Sequence, residues 1–295
     1  MMTSLFPFER PLTPGRILHY RLIELFLVGY AIQYVWKWSF YAPRLSEVVL
    51  PLGLANYMDV SVFYGGSFMI FVAAMTTISL VIAFFTSFRT IGYTIGMILF
   101  HLQYVIRYTQ GEIPHSMNMI GMGILSLAIA AWTFRKDWQK QMVFGFGLIV
   151  FFFGLGYFTA AISKLVATGP SWVYGEHLQL WIYEKGVDSL SKFGVWSPNW
   201  LQQLALQSTA IATVILSFGL LNEALGPMFW SDKLRPYIAI MAVGMHFGIY
   251  LSMGIRFDAY LVQIVLIGFP WHVLLEKPVI STSLANVFGL KHCQA

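Results

Sequence analysis

The sequence predicts an all-α protein, a polytopic transmembrane helix bundle of about eight spans with both termini cytoplasmic. Three observations lead there. Of the 295 residues, 58% are hydrophobic and only 11% are charged, whereas a soluble domain carries about 25% charge. Such a chain cannot cover its surface with polar groups in water, and lipid removes that demand. Apolar runs of spanning length recur along the chain, and the basic residues collect in the short connections between them. The mean hydropathy of +0.68 agrees, as do the 10 Trp, whose amphipathic rings suit the headgroup level.

The first span, 17–38, follows a stretch with Pro-containing turns and no apolar core ahead of a small-residue cleavage site. It is therefore expected to insert as an uncleaved anchor. Val48 to Met58 is too short to cross and contains Pro51 and Gly53, so it reads as an interfacial or re-entrant piece. Four spans follow near 63–86, 88–106, 116–134 and 142–165. The fourth opens on Pro114-His115-Ser116, with Ser116 a candidate cap. The longest polar connection, 171–200, carries Trp172, Trp181, Trp196 and Trp200, which suits a segment lying along the membrane surface. The last spans are expected near 203–223, 234–255 and 257–275. No repeat or linker divides the chain, so 1–295 reads as a single transmembrane domain.

Orientation follows from the basic residues. With an even number of spans the termini share a side. That side holds Arg10, Arg16, Arg21, Arg89, Arg135, Lys136, Lys140, Lys233, Arg235, Lys277 and Lys291, and the opposite side holds Lys37, Arg44, Arg107, Lys164, Lys185, Lys192 and Arg256. Eleven against seven favours cytoplasmic termini. The net charge of +5 is spread over these loops with no long basic run, which is topology-setting charge and not a nucleic-acid footprint. The lone cysteine, Cys293, offers no internal disulfide and no metal site.

Ionisable groups at membrane depth are costly, so each needs a reason. Lys164 ends the long fifth apolar run. An amine desolvated there would be held neutral and could serve as a general base. The alternative is a lysine that snorkels to the headgroups. His115 falls at the outer interface, as a site residue or as a structural hydrogen-bonding group. His246 lies inside the seventh span, with Tyr250 four residues on and glycines at 244 and 248 that admit a neighbouring helix. It faces either a cavity or a satisfied packing contact. Arg21 and Glu24 stand at i,i+3 and can pair with each other. His101, Tyr104, Arg107 and Tyr108 could line a polar mouth or face water. The expected topology puts Lys164, His115 and His246 in one outer layer, so a shared polar cavity is expected there.

The run Tyr157-Phe158-x-Ala160-Ala161-x-x-Lys164-Leu165, followed by Trp172 and Gly175, resembles the signature of the HTTM membrane family. Its best-known members are the vitamin K-dependent γ-glutamyl carboxylases. Arg21 in the first span, His115-Ser116, and His246 followed by Ser252, Met253, Gly254 and Phe257 resemble further family positions. Ala161 and Ser163 stand where the family usually has glycine and a second lysine. The resemblance is a set of short motifs scattered over most of the chain. It implies that Lys164 deprotonates vitamin K hydroquinone or a menaquinol-like quinol, with oxygen and carbon dioxide as co-substrates. His115 and His246 would then belong to the catalytic site, and Arg21, Tyr157, Trp172 and Tyr250 would help to bind the quinol. The carboxylases continue into a large soluble region that binds the substrate protein, which is expected to be missing here; bacterial members of this length include helpers in the maturation of secreted peptide toxins. The expected function is thus a multi-pass membrane enzyme, more in keeping with a bacterial inner membrane than with endoplasmic reticulum. Its expected partners are membrane lipid and a peptide glutamate or small carboxylate. The alternative is a non-catalytic maturation or scaffold protein that holds a secreted peptide or a lipid. A transporter is disfavoured, because neither an internal repeat nor paired interrupted helices are legible.

Overall fold

The structure is a computed structural model and describes residues 5–44, 50, 53–109 and 115–276. Cys293, Lys277 and Lys291 lie outside the described residues, as do 48, 49, 51 and 52 of the stretch at 48–58 expected to re-enter. Its described part includes a short 3-10 turn, Gly53–Asn56. Among the described residues the regular structure is entirely helical. The described residues form two compact units: those of 6–149 with 270–276, and those of 150–269 with Leu5.

The first unit is built on α1 (Pro14–Tyr41), α2 (Gly66–Phe85), α3 (Arg89–Tyr108) and α4 (His115–Thr133). It also holds the start of α5 (Trp138–Thr168). Thr13 caps α1 by accepting from the Arg16 amide, and Pro14 occupies the first turn, where its missing N–H costs nothing. The short α11 (Trp271–Leu275) returns to this unit, and the Glu276 carboxylate accepts from Thr13 Oγ1 at 2.6 Å and from the Gly15 amide at 3.2 Å. A carboxylate at a helix N-terminus is favoured by the dipole. Helices α2 and α3 approach closely because Gly92 and Gly96 face Ser79, Leu80 and Ala83, where any Cβ would collide. Small residues at i,i+4 let helix backbones meet, the packing that serves best in lipid. The opposite face of α2 exposes Phe71, Ile78 and Phe85, seven residues apart. An apolar stripe left uncovered on an apolar helix suits contact with acyl chains.

The second unit holds the remainder of α5, then α6 (Gly175–Phe193), α7 (Trp200–Gln207), α8 (Thr209–Ala224), α9 (Arg235–Met253) and α10 (Asp258–Gly268). The connection at 171–200 is mostly helical. Along α6, Gly175, Leu178, Ile182 and Gly186 are buried, while Leu180, Tyr183, Val187 and Leu190 form an exposed apolar stripe. Glu184, Lys185, Asp188 and Lys192 take the remaining side. A helix with separate packing, apolar and charged faces suits the plane of a membrane interface.

Three helices among the described residues, the first at Gly66–Phe85, are long and apolar enough to cross a membrane; the other two are α5 and α9. The run expected to span at 203–223 is broken. Ser208 adopts an extended conformation (φ −144°, ψ 112°) and caps α8, and α7 meets α8 at 116°. Counted together, that bent pair is a fourth candidate. The run expected at 257–275 is also interrupted: α10 has 11 residues and ends before an extended Phe269, which Pro270 follows. At 1.5 Å per residue it covers only about 17 Å of a ~30 Å core. Helix α1 has the length to cross but carries Arg16, Arg21, Glu24 and Lys37.

Candidate functional site

The richest cluster of ionisable groups in the second unit forms around the end of α5. The helix stops at Gly169, whose φ of +70° favours glycine, and a 3-10 turn, Gly169–Val173, follows. That turn brings the Trp172 ring to 5.1 Å from Lys164 Nζ. Lys164 is turned toward the last turn of α8. Nζ donates to both Glu223 oxygens at 2.5 Å, and the two side chains are only 26% and 14% exposed. A carboxylate that takes both bonds fixes the direction of the lysine side chain.

Below this pair, α5 lies against a second 3-10 turn, Gly226–Trp230, which follows α8. A Cβ on Gly154 would strike the Gly226 carbonyl and the Trp230 indole, and a Cβ on Gly226 would strike the Gly154 carbonyl. The Trp230 indole N–H donates to the Phe151 carbonyl at 3.2 Å. Arg235 Nε, donating to the Phe229 carbonyl at 2.8 Å, ties the turn to α9. The close approach buries Tyr157 and His246, whose hydroxyl and Nε2 are hydrogen-bonded at 2.6 Å. Phe257 and Tyr260 flank the imidazole with centroids at 4.7 and 5.4 Å.

Among the described residues of this unit, His246, Asn222 and Gln263 are buried with unmet hydrogen-bonding capacity, Gln263 at Oε1. His246 Nδ1 has no partner, and neither does either amide atom of Asn222, the residue before Glu223. A buried carboxamide with neither atom satisfied costs free energy that a native core normally avoids.

Of the expected site residues, Lys164 and Trp172 meet around Glu223, and Tyr157 and His246 meet each other. Tyr250 is exposed although it lies one turn past the buried His246; the tyrosines beside the imidazole are Tyr157 and, from α10, Tyr260. Arg21 belongs to the first unit. It pairs with Glu24 at 2.6 Å and donates to the Phe84 carbonyl at 2.8 Å. His115 opens α4, and its side chain, like that of Ser116, lies outside the described residues. Tyr104 bonds Asn118, and the Arg107 guanidinium lies 3.4 Å from the centre of the Trp38 ring. Glu223 and Asn222 were not read from the sequence. A signal existed, because Glu223 is the lone acidic residue between Asp188 and Asp232 and sits in an apolar run.

Among the described residues no group of His, Cys, Asp and Glu side chains could hold a metal ion. Comparison with family models, with curated proteins and with solved structures finds no match. The likeness of the Tyr157–Gly175 run to the HTTM signature therefore stands on those residues alone.

Proposed function

We propose that this chain is a membrane enzyme that uses the Lys164–Glu223 pair to take a proton from an acidic hydroxyl of a lipid-soluble quinol. The observation that carries the reading is the pair itself: an amine clasped by both oxygens of a carboxylate, mostly buried, at the end of an apolar helix. In a low-dielectric setting a close ammonium–carboxylate pair can relax by passing the proton to the carboxylate. Lys164 is then an amine able to accept a proton, and Glu223 holds the one it released. The Trp172 ring lies beside the pair, its centroid 5.1 Å from Nζ.

The residues present fit the polar head of a quinol. Asn222 offers a donor and an acceptor with no partner, and His246 offers Nδ1. Tyr157 fixes the His246 ring through Nε2. In the family that the Tyr157–Gly175 run resembles, the quinol supplies an oxidisable group whose reaction with oxygen drives carboxylation by carbon dioxide. On this reading the acceptor is a peptide glutamate or a small carboxylate, and the protein is multi-pass, with about eight spans, cytoplasmic termini and a bacterial inner membrane as its setting. Helices α1, α3, α4 and α10 would then cross as members of the bundle, their charges or short length covered by neighbours.

The test is binding of menaquinone to the purified protein in detergent, followed by quenching of tryptophan fluorescence. The reading expects saturable quenching that Asn222→Leu weakens by about tenfold, the effect of losing hydrogen bonds in a buried site. Equal quenching in wild type and variant, or none in either, contradicts it. A second reading, a non-catalytic scaffold for a secreted peptide, is favoured by one feature, the uncovered Leu180, Tyr183, Val187 and Leu190 stripe on α6.

A further inference from the structure

The first unit contains a second buried polar centre, which the proposed chemistry does not use. Glu24 is 2% exposed. Its Oε2 accepts from Arg21 Nη1 at 2.6 Å, and its Oε1 accepts from Arg89 Nη2 at 2.6 Å and from the Tyr93 hydroxyl. Arg89 Nε donates to Gln141 Oε1 at 3.1 Å, and Gln141 Nε2 donates to the Phe134 carbonyl at 2.8 Å. The phenol brings no charge in its ordinary protonated form, so two guanidinium groups face one carboxylate. One positive charge is left over at a site almost closed to water.

A net charge in a low-dielectric interior is costly unless an anion answers it. Among the described residues, Arg89 Nη1 donates to no group. A small cavity, of about the size of a water molecule, opens beside this guanidinium, lined by Tyr20, Glu24, Arg89, Gln141, Met142 and Phe146. Its lining is part polar and part apolar. The carbonyl of Phe134, which holds Gln141, begins the loop to α5, and that loop and the first turn of α5 carry Arg135, Lys136 and Lys140. Basic groups at a membrane surface draw anionic headgroups.

We propose that the mouth of this cavity binds the phosphate headgroup of an anionic phospholipid, with Arg89 Nη1 as the donor and Met142 and Phe146 on the side of the glycerol and acyl carbons. The same phosphate chemistry could come from free inorganic phosphate. The apolar wall and the neighbouring hydrocarbon favour the lipid, since a free dianion would lose its water there with nothing to offset the loss. Planar guanidinium groups are well suited to phosphate oxygens. The assignment of this end to the cytoplasmic leaflet rests on the proposed topology; the site itself does not.

The experiment is native mass spectrometry of the purified full chain with phosphatidylglycerol, phosphatidylcholine or inorganic phosphate added separately. Wild type should retain phosphatidylglycerol at least about tenfold better than phosphatidylcholine, and Arg89→Gln should lose that preference. Arg135→Gln with Lys136→Gln should keep it, because those residues only draw lipid toward the opening. If Arg89→Gln does not fold, the wild-type preference and the Arg135/Lys136 variant still decide. No preference in wild type, its loss in the loop variant, or its persistence in Arg89→Gln overturns the proposal. Retention of inorganic phosphate in place of the lipid overturns the lipid assignment.

Discussion

Single residues decide most of the chemistry, and their partners were only partly visible in the sequence. Arg21 and Glu24 were legible as a pair because both sit on one helix at i,i+3, and they bond at 2.6 Å. Arg89 and Tyr93 join them from α3, and nothing local announces that. The same holds for Lys164 and Glu223, which meet from α5 and α8. These long-range pairs depend on which helices pack together, and one chain's periodicity does not contain that. Two predictions belong here. Glu24→Ala leaves two buried guanidinium groups without their carboxylate, and it should cost roughly 3–5 kcal/mol, read by denaturation in micelles. A loss under about 1 kcal/mol would show that the charges are answered from elsewhere. Glu223→Gln should leave the fold intact and slow quinol turnover, since the Lys164 amine then has no carboxylate to take its proton; an unchanged rate would separate Glu223 from the chemistry.

At the scale of elements, the sequence showed where apolar runs lie better than where they break. Helices α2, α3, α4 and α9 fall within a few residues of the runs read at 63–86, 88–106, 116–134 and 234–255. The break at Ser208 was missed because one serine in an apolar run is tolerated in many helices, while here it turns extended and caps the next one. Asn199 was likewise missed as the cap of α7, though its capping box with Gln202 is a recognisable pattern. Ser208→Ala should destabilise the second unit by about 1 kcal/mol, the usual worth of such a cap, measured as a lowered midpoint in chemical denaturation. An unchanged midpoint would mean that packing alone holds the bend. The case against a transporter rested partly on the absence of paired interrupted helices in the sequence; the runs expected at 203–223 and 257–275 are both interrupted in the structure. At Asp137 the start of α5 shows the same capping logic outside the membrane. The Lys140 amide donates to its carboxylate at 2.9 Å and holds its pKa below the usual value. A depressed carboxylate contributes stability above its unfolded pKa and loses it as pH falls through the folded one, so this cap should weaken only in acid.

For the whole molecule, composition alone made the all-helical membrane class legible, because lipid leaves few alternatives for a backbone that must satisfy itself. The number of crossings depends on breaks and on buried charge, which composition does not resolve. The topology is checked by labelling in a Cys293→Ser background: Ser171→Cys should react from outside and Gln139→Cys only from the cytoplasm, and labelling of both from one side would contradict it. The central claim, that Lys164 takes a proton from a quinol, is tested most directly by oxidation of menaquinol in proteoliposomes carrying wild type, Lys164→Ala or Lys164→Arg. Arginine can keep the ion pair with Glu223, and with it the fold, but stays protonated at any working pH. The account predicts turnover in wild type and none in either variant, with both folded. Full turnover in Lys164→Arg would contradict it and leave Lys164 as a structural ion-pair partner.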